Sequence, residues 1–82
     1  MDPKIPPQSS EAEASLLGSL LIDADAVVKI ADLVRPEDFY DERHKYIYES
    51  AIALYEKHSP IDILTLTDDL KKKIYEAARV TV

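Results

Sequence analysis

Proline placement constrains this chain more than any other feature. The five prolines stand at positions 3, 6, 7, 36 and 60, and the segments between them repeat apolar residues at helical intervals. Periodic segments broken by prolines predict helices joined by short turns. The single glycine, Gly18, falls inside the first apolar stretch. A glycine inside a helix costs about 1 kcal/mol against alanine. The usual reason to carry it is close approach of another helix, which is the expectation here.

The first helix is expected to begin near Ser9 or Ser10. Ser10-Glu11-Ala12-Glu13 has the form of a capping box, and both glutamates place negative charge at the positive end of the helix. Ala14, Leu17, Gly18 and Leu21 follow at helical spacing, with Leu16 and Leu20 widening the face. Asp23 is positioned to cap a second helix over Ala24 to Leu33, whose stripe is Val27, Ile30, Ala31 and Val34. Pro36 stops it. Arg35 to Tyr40 then reads as a tight connector with one helical turn, and Phe39 is its anchor into the core.

Asp41 caps the longest segment, a third helix from Glu42 to about Lys57. Its apolar lines, Ile47-Ala51-Leu54 and Tyr48-Ile52-Tyr55, join His44 in a face wider than one neighbour needs. That helix is either central or turned partly toward a partner. His58-Ser59-Pro60 ends it. Ile61 to Leu64 reads as a short extended link, with Thr65 capping a last helix through Leu66 and Leu70.

Length and charge bound the function. Eighty-two residues make one domain. With no cysteine there are no disulfides or thiolate metal sites, which fits a reducing cytoplasm. The polar, proline-rich start lacks the apolar core of a secretory signal, and no apolar run approaches the roughly 20 residues that cross a bilayer. A cytoplasmic protein without membrane contact is expected. Net charge is −6, and the one basic cluster, Lys71-Lys72-Lys73, reads as helix C-terminal lysines answering the macrodipole. Direct DNA binding is not expected.

Catalytic chemistry is hard to find. His44 and His58 lack further ligands at metal spacing, so a zinc site is not expected and His44 reads as a packed or interface residue. Asp23-Ala24-Asp25 begins like a calcium loop but lacks that motif's glycine and terminal glutamate. One glycine cannot build a phosphate-binding loop, and none of the six serines sits in a nucleophile motif. Adjacent acids such as Glu37-Asp38 and Asp68-Asp69 point about 100° apart on a helix and form no dyad. Tyrosines 40, 46, 48, 55 and 75 suit either the core rim or an interface. Residue by residue, the chain is a helical interaction domain without catalytic groups or cofactors.

Three blocks make this sharper. Pro6-Pro7-Gln8-Ser9-Ser10-Glu11-Ala12-Glu13, with Leu16-Leu17-Gly18 and Leu21-Ile22-Asp23, resembles the opening of the N-terminal domain of DnaB-type replicative helicases. Arg35 to Tyr40, followed by His44 and Ile47, is similar to that family's next block, and Ser59 to Leu66 with Leu70 to its third. The resemblance covers about residues 5 to 73. It implies an all-α fold, a small orthogonal bundle of four to five helices, serving as the N-terminal collar of a ring-shaped hexameric helicase. The implied partners are further copies of the chain (a dimer or higher), the C-terminal domain of primase, and the rest of the helicase. ATP hydrolysis belongs to a separate domain of that family. Glu11 matches a position implicated in primase contact, while the first-turn acid reading explains it equally.

Two departures stand out. Ser10 occupies a position where the family usually has leucine or isoleucine. After Lys73 the family has a glycine-bearing turn and a helical hairpin, whereas here Ile74 to Val82 follows without glycine. The chain therefore divides into an arm over 1–8, the helical domain over 9–73 and an atypical tail over 74–82 able to extend the last helix. The competing expectations are a helical core that has lost partner binding with the hairpin, and a small hydrolase or metal enzyme sharing only the helical packing.

Overall fold

Ser9 caps the first helix in the computed structural model of the chain, which describes residues 9–80. Its hydroxyl accepts the Ala12 N–H at 3.2 Å, so Ser10 is the first residue of helix α1 (Ser10–Ile22) and not its cap. The capping box expected over Ser10–Glu13 does not form, because Glu13 turns inward. The arm over 1–8 and residues 81 and 82 lie outside the described residues.

Helix α2 (Ala26–Ala31) is shorter than the apolar stripe predicted. Tight i→i+3 bonds flank it, from Ala26 N–H to the Asp23 carbonyl at 3.1 Å and from Leu33 N–H to that of Ile30 at 2.9 Å. The Asp23 carboxylate holds the Asp25 N–H in a turn instead of capping a helix from Ala24. Val27 and Val34 are nonetheless buried, as the stripe requires. The connector is one 3₁₀ turn (Pro36–Asp38) with proline first, closed by Asp38 accepting the Arg35 N–H at 2.9 Å.

Helix α3 (Glu42–Glu56), capped by Asp41, packs against every other helix and the connector. The wide apolar face thus makes it the central helix. Tyr48 lies fully buried at its middle, its hydroxyl donating to the Val34 carbonyl at 2.6 Å and its ring 4.9 Å from that of Phe39. Leu17 and Leu20 from α1, Val27, Val34, Ala51, Leu54, Ile61 and Leu66 complete the core. Each buried leucine, isoleucine or valine among them contributes about 1.5–3 kcal/mol through burial.

A Schellman turn ends α3. Ser59 N–H reaches the Leu54 carbonyl at 2.9 Å and His58 N–H that of Tyr55 at 3.0 Å. His58 pays for this turn with a φ of +60°, a conformation that suits glycine. His58→Gly should therefore raise stability by about 0.5–1 kcal/mol, read as a higher Tm in thermal denaturation.

Helix α4 (Ile63–Val80) starts earlier than predicted. Asp62 and Thr65 cap reciprocally: the Asp62 carboxylate accepts the Thr65 N–H at 2.9 Å and the Thr65 hydroxyl accepts the Asp62 N–H at 3.0 Å. Residues placed in an extended link are thus the first turn of the helix. Because α4 runs on to Val80, Lys71, Lys72 and Lys73 occupy its middle and not its C-terminus. Lys73 turns inward to donate to the buried Ser50 hydroxyl at 3.1 Å and stands 3.5 Å from Asp69, tying α4 to α3.

Gly18 contradicts its expected role. A methyl group built at its Cα would meet nothing within 4 Å, so no helix is pressed against it. Gly18→Ala should then gain about 1 kcal/mol from helix propensity alone, seen as an increase in the denaturant midpoint with an unchanged slope.

Candidate partner-binding surface

Two glutamates separated by one residue behave oppositely because successive helical positions differ by about 100°. Glu13 shares the α1 face of Leu17 and Leu20, and all three are buried. One Glu13 oxygen, Oε2, accepts the Tyr40 N–H at 2.6 Å; the other, Oε1, accepts the Asp41 N–H at 3.2 Å and the His44 Nδ1–H at 2.9 Å. Burial pushes the Glu13 carboxyl up, but the bonds from His44, Tyr40 and Asp41 together outweigh it and hold the pKa below its usual value. An ionised carboxylate only accepts, so His44 carries its proton on Nδ1 toward Glu13. This knot clamps α1 to the start of α3.

Beside the knot, α1 and α4 stand apart over α3 and leave a groove of about 340 Å³. Ala14, Leu17, Gly18 and Leu21 form its α1 wall, His44 and Ile47 its floor. The α4 wall is Ile63, Leu66, Thr67 and Leu70, a regular i, i+3, i+4, i+7 stripe. The Thr67 hydroxyl is spent on the Ile63 carbonyl at 2.6 Å. The apolar surface continues past the groove: Ile63 and Leu64 are exposed at one end of α4, and Ile74 and Tyr75 toward the other. Open apolar continuity of this kind marks a contact surface.

A sequence profile described as the DnaB-like helicase N terminal domain matches residues 5–80. The chain belongs to that family. DnaB-like relatives agree with the match. The chain is 36% identical over 84% of its length to the "Replicative DNA helicase DnaB" of Rhodothermus marinus, 39% over 84% to that of Leifsonia xyli subsp. xyli, and 37% over 82% to that of Geobacillus stearothermophilus. The matched part is 7% of the first of these proteins and 15% of the other two, so the chain spans a small fraction of their length. No solved structure matches significantly. With residues 5–80 taken up by the DnaB-like N-terminal domain, the 82 residues contain no ATPase domain.

Within this DnaB-like domain, Glu11 stands exposed in the first turn of α1 and takes no part in the Glu13 knot. It lies seven residues before Gly18, hence on the groove side of α1. His44 is packed beneath that groove; His58 serves the α3 turn and lies apart from it. Tyr48 belongs to the core, Tyr55 packs half-buried against it, and Tyr40, Tyr46 and Tyr75 are exposed. Among the described residues no group of histidines and acids could hold a metal ion, and no helix is long and apolar enough to cross a membrane.

Sequence reasoning missed the inward role of Glu13 and the groove. Position 13 does fall in register with Leu17 and Leu20, the one signal that marked it as a core position. Nothing local marked Tyr40, Asp41 and His44 as its partners, 27 to 31 residues away.

Proposed function

We propose that this chain is the non-catalytic collar of a ring-shaped replicative DNA helicase, supporting ring assembly and docking the C-terminal domain of primase in the cytoplasm during DNA replication. The observation that carries this reading is the open apolar surface of α1 and α4 on a domain with a complete core of its own. A folded domain has no internal use for such a surface. The relatives, all replicative helicases by name, supply the setting. Glu11, exposed beside this surface, is the residue proposed to contact primase. With a net charge of −6 the domain meets proteins and not the DNA backbone.

Calorimetric titration of the chain with a cognate primase C-terminal domain tests the docking. Saturable binding is expected, weakened severalfold by Glu11→Ala. Sedimentation of the chain alone tests assembly, with a concentration-dependent dimer or larger species expected. A chain that is folded by circular dichroism, yet monomeric and silent toward primase, would instead be a helical core without partner function.

A further inference from the structure

The groove between α1 and α4 also says what it receives. Its walls are aliphatic, and Gly18 and Ala14 leave the α1 side low enough for another helix to come close. One polar atom interrupts it. With Nδ1 given to Glu13, the His44 ring has Nε2 left to offer an occupant of the groove that it lines.

Charge selects further. At the end where Leu21 meets Ile63, the surface is bordered by exposed Asp62. Asp23 closes the C-terminus of α1 two residues after Leu21, and with no basic residue in that last turn it deepens the negative helix end. Glu11 adds an acid toward the far end of α1. Among the described residues no lysine or arginine lines the groove, although Lys71 follows Leu70 on the outer side of α4 and Lys73 stands with Leu70 and Ile74 beyond its far end. A second copy, itself at −6, is poorly matched to such a rim.

We propose that this groove docks an amphipathic helix of a different protein, one that presents an aliphatic ridge between Gly18 and Thr67 and lysine or arginine side chains to Asp23 and Asp62. The proposal rests on the reading of the chain as an interaction domain and names the chemistry of the partner.

The probes are two synthetic amphipathic peptides of about 16 residues, enough to run the length of the groove. They share one leucine ridge and carry either lysine or glutamate on their flanks. Each is titrated into the isotopically labelled full chain and followed by amide shifts. The lysine peptide should bind at least about tenfold tighter than the glutamate one, moving Gly18, Leu21 and Thr67. Gly18→Leu, whose side chain enters open space, should keep the helical spectrum and reduce binding at least about tenfold. Asp23→Asn keeps the turn acceptor, removes the charge, and should weaken only the lysine peptide.

Equal binding of the two peptides, shifts elsewhere, or indifference to Gly18→Leu would each overturn the proposal. So would a dimer of the chain alone that Gly18→Leu disperses, because a second copy would then fill the groove. Primase binding that survives Gly18→Leu removes the groove and leaves the docking function standing. Lysine-peptide binding without primase binding does the reverse.

Discussion

Replacing Glu13 with alanine is expected to lower stability by about 3–4 kcal/mol, because two backbone N–H groups and an imidazole lose a buried acceptor together. A domain of 82 residues holds roughly 4–12 kcal/mol in all. The variant therefore sits close to unfolding, with a Tm lower by about 15 °C or more. Glu11→Ala, two residues away on the exposed side, should leave Tm nearly unchanged. Similar losses in both variants would mean that the knot contributes little. The acid limb of the stability curve provides a second test. The folded pKa of Glu13 lies below its ordinary 4.5. Its contribution is thus fully present above that value and is lost as pH falls through the lowered folded pKa. Asp41 acts with the same sign, held down from 3.8 to about 2 by hydrogen bonds from the Arg43 side chain and backbone. Glu13→Gln should flatten the limb just below pH 4.5 and leave the Asp41 part, at lower pH, in place.

Phe39→Ala should cost about 3–5 kcal/mol, the usual penalty for emptying a buried aromatic site. Phe39 is the connector's anchor and stacks obliquely on Tyr48, so its removal also loosens a side chain that joins α3 to the end of the α2 segment. Tyr48→Phe separates the two effects. It keeps the ring pair and deletes only the hydroxyl bond to the Val34 carbonyl, for an expected loss of about 1–2 kcal/mol. Urea titrations of both variants measure the difference. A Phe39→Ala loss no larger than that of Tyr48→Phe would show that the connector is dispensable to the core.

Local chemistry explains which parts of this fold were legible beforehand. Asp41 and the wide stripe of the third helix act on neighbours within a few residues and do in the structure what their spacing implied, and Pro36 opens the connector turn as expected, although α2 has already ended at Ala31. Phe39 was likewise readable as an isolated aromatic residue in a polar connector. Helix starts were harder. Ser9 competes with Ser10, and Asp62 with Thr65, because adjacent small polar residues all make adequate caps and three-dimensional packing chooses among them. Lys71 to Lys73 were misplaced because nothing within the run itself says that the helix continues to Val80. Gly18 misled for a related reason. A glycine tolerated in a helix signals space for a close neighbour, and the sequence does not reveal that this space stays open. The candidate surface escaped altogether, since a groove is made by the separation of α1 and α4, which no single segment encodes.

The brevity of α2 has a consequence in time as well as in shape. Six residues, an N-terminus without a side-chain cap and only Val27 fully buried give this segment little to resist opening with. Its amides should trade their hydrogens for deuterium well before those around Tyr48 and Leu54, through openings that leave the α1–α3 knot closed. The stretch from Asp23 to Leu33 would then act as a soft hinge at the acidic end of the groove, able to yield to an incoming side chain while the rest of the domain stays rigid.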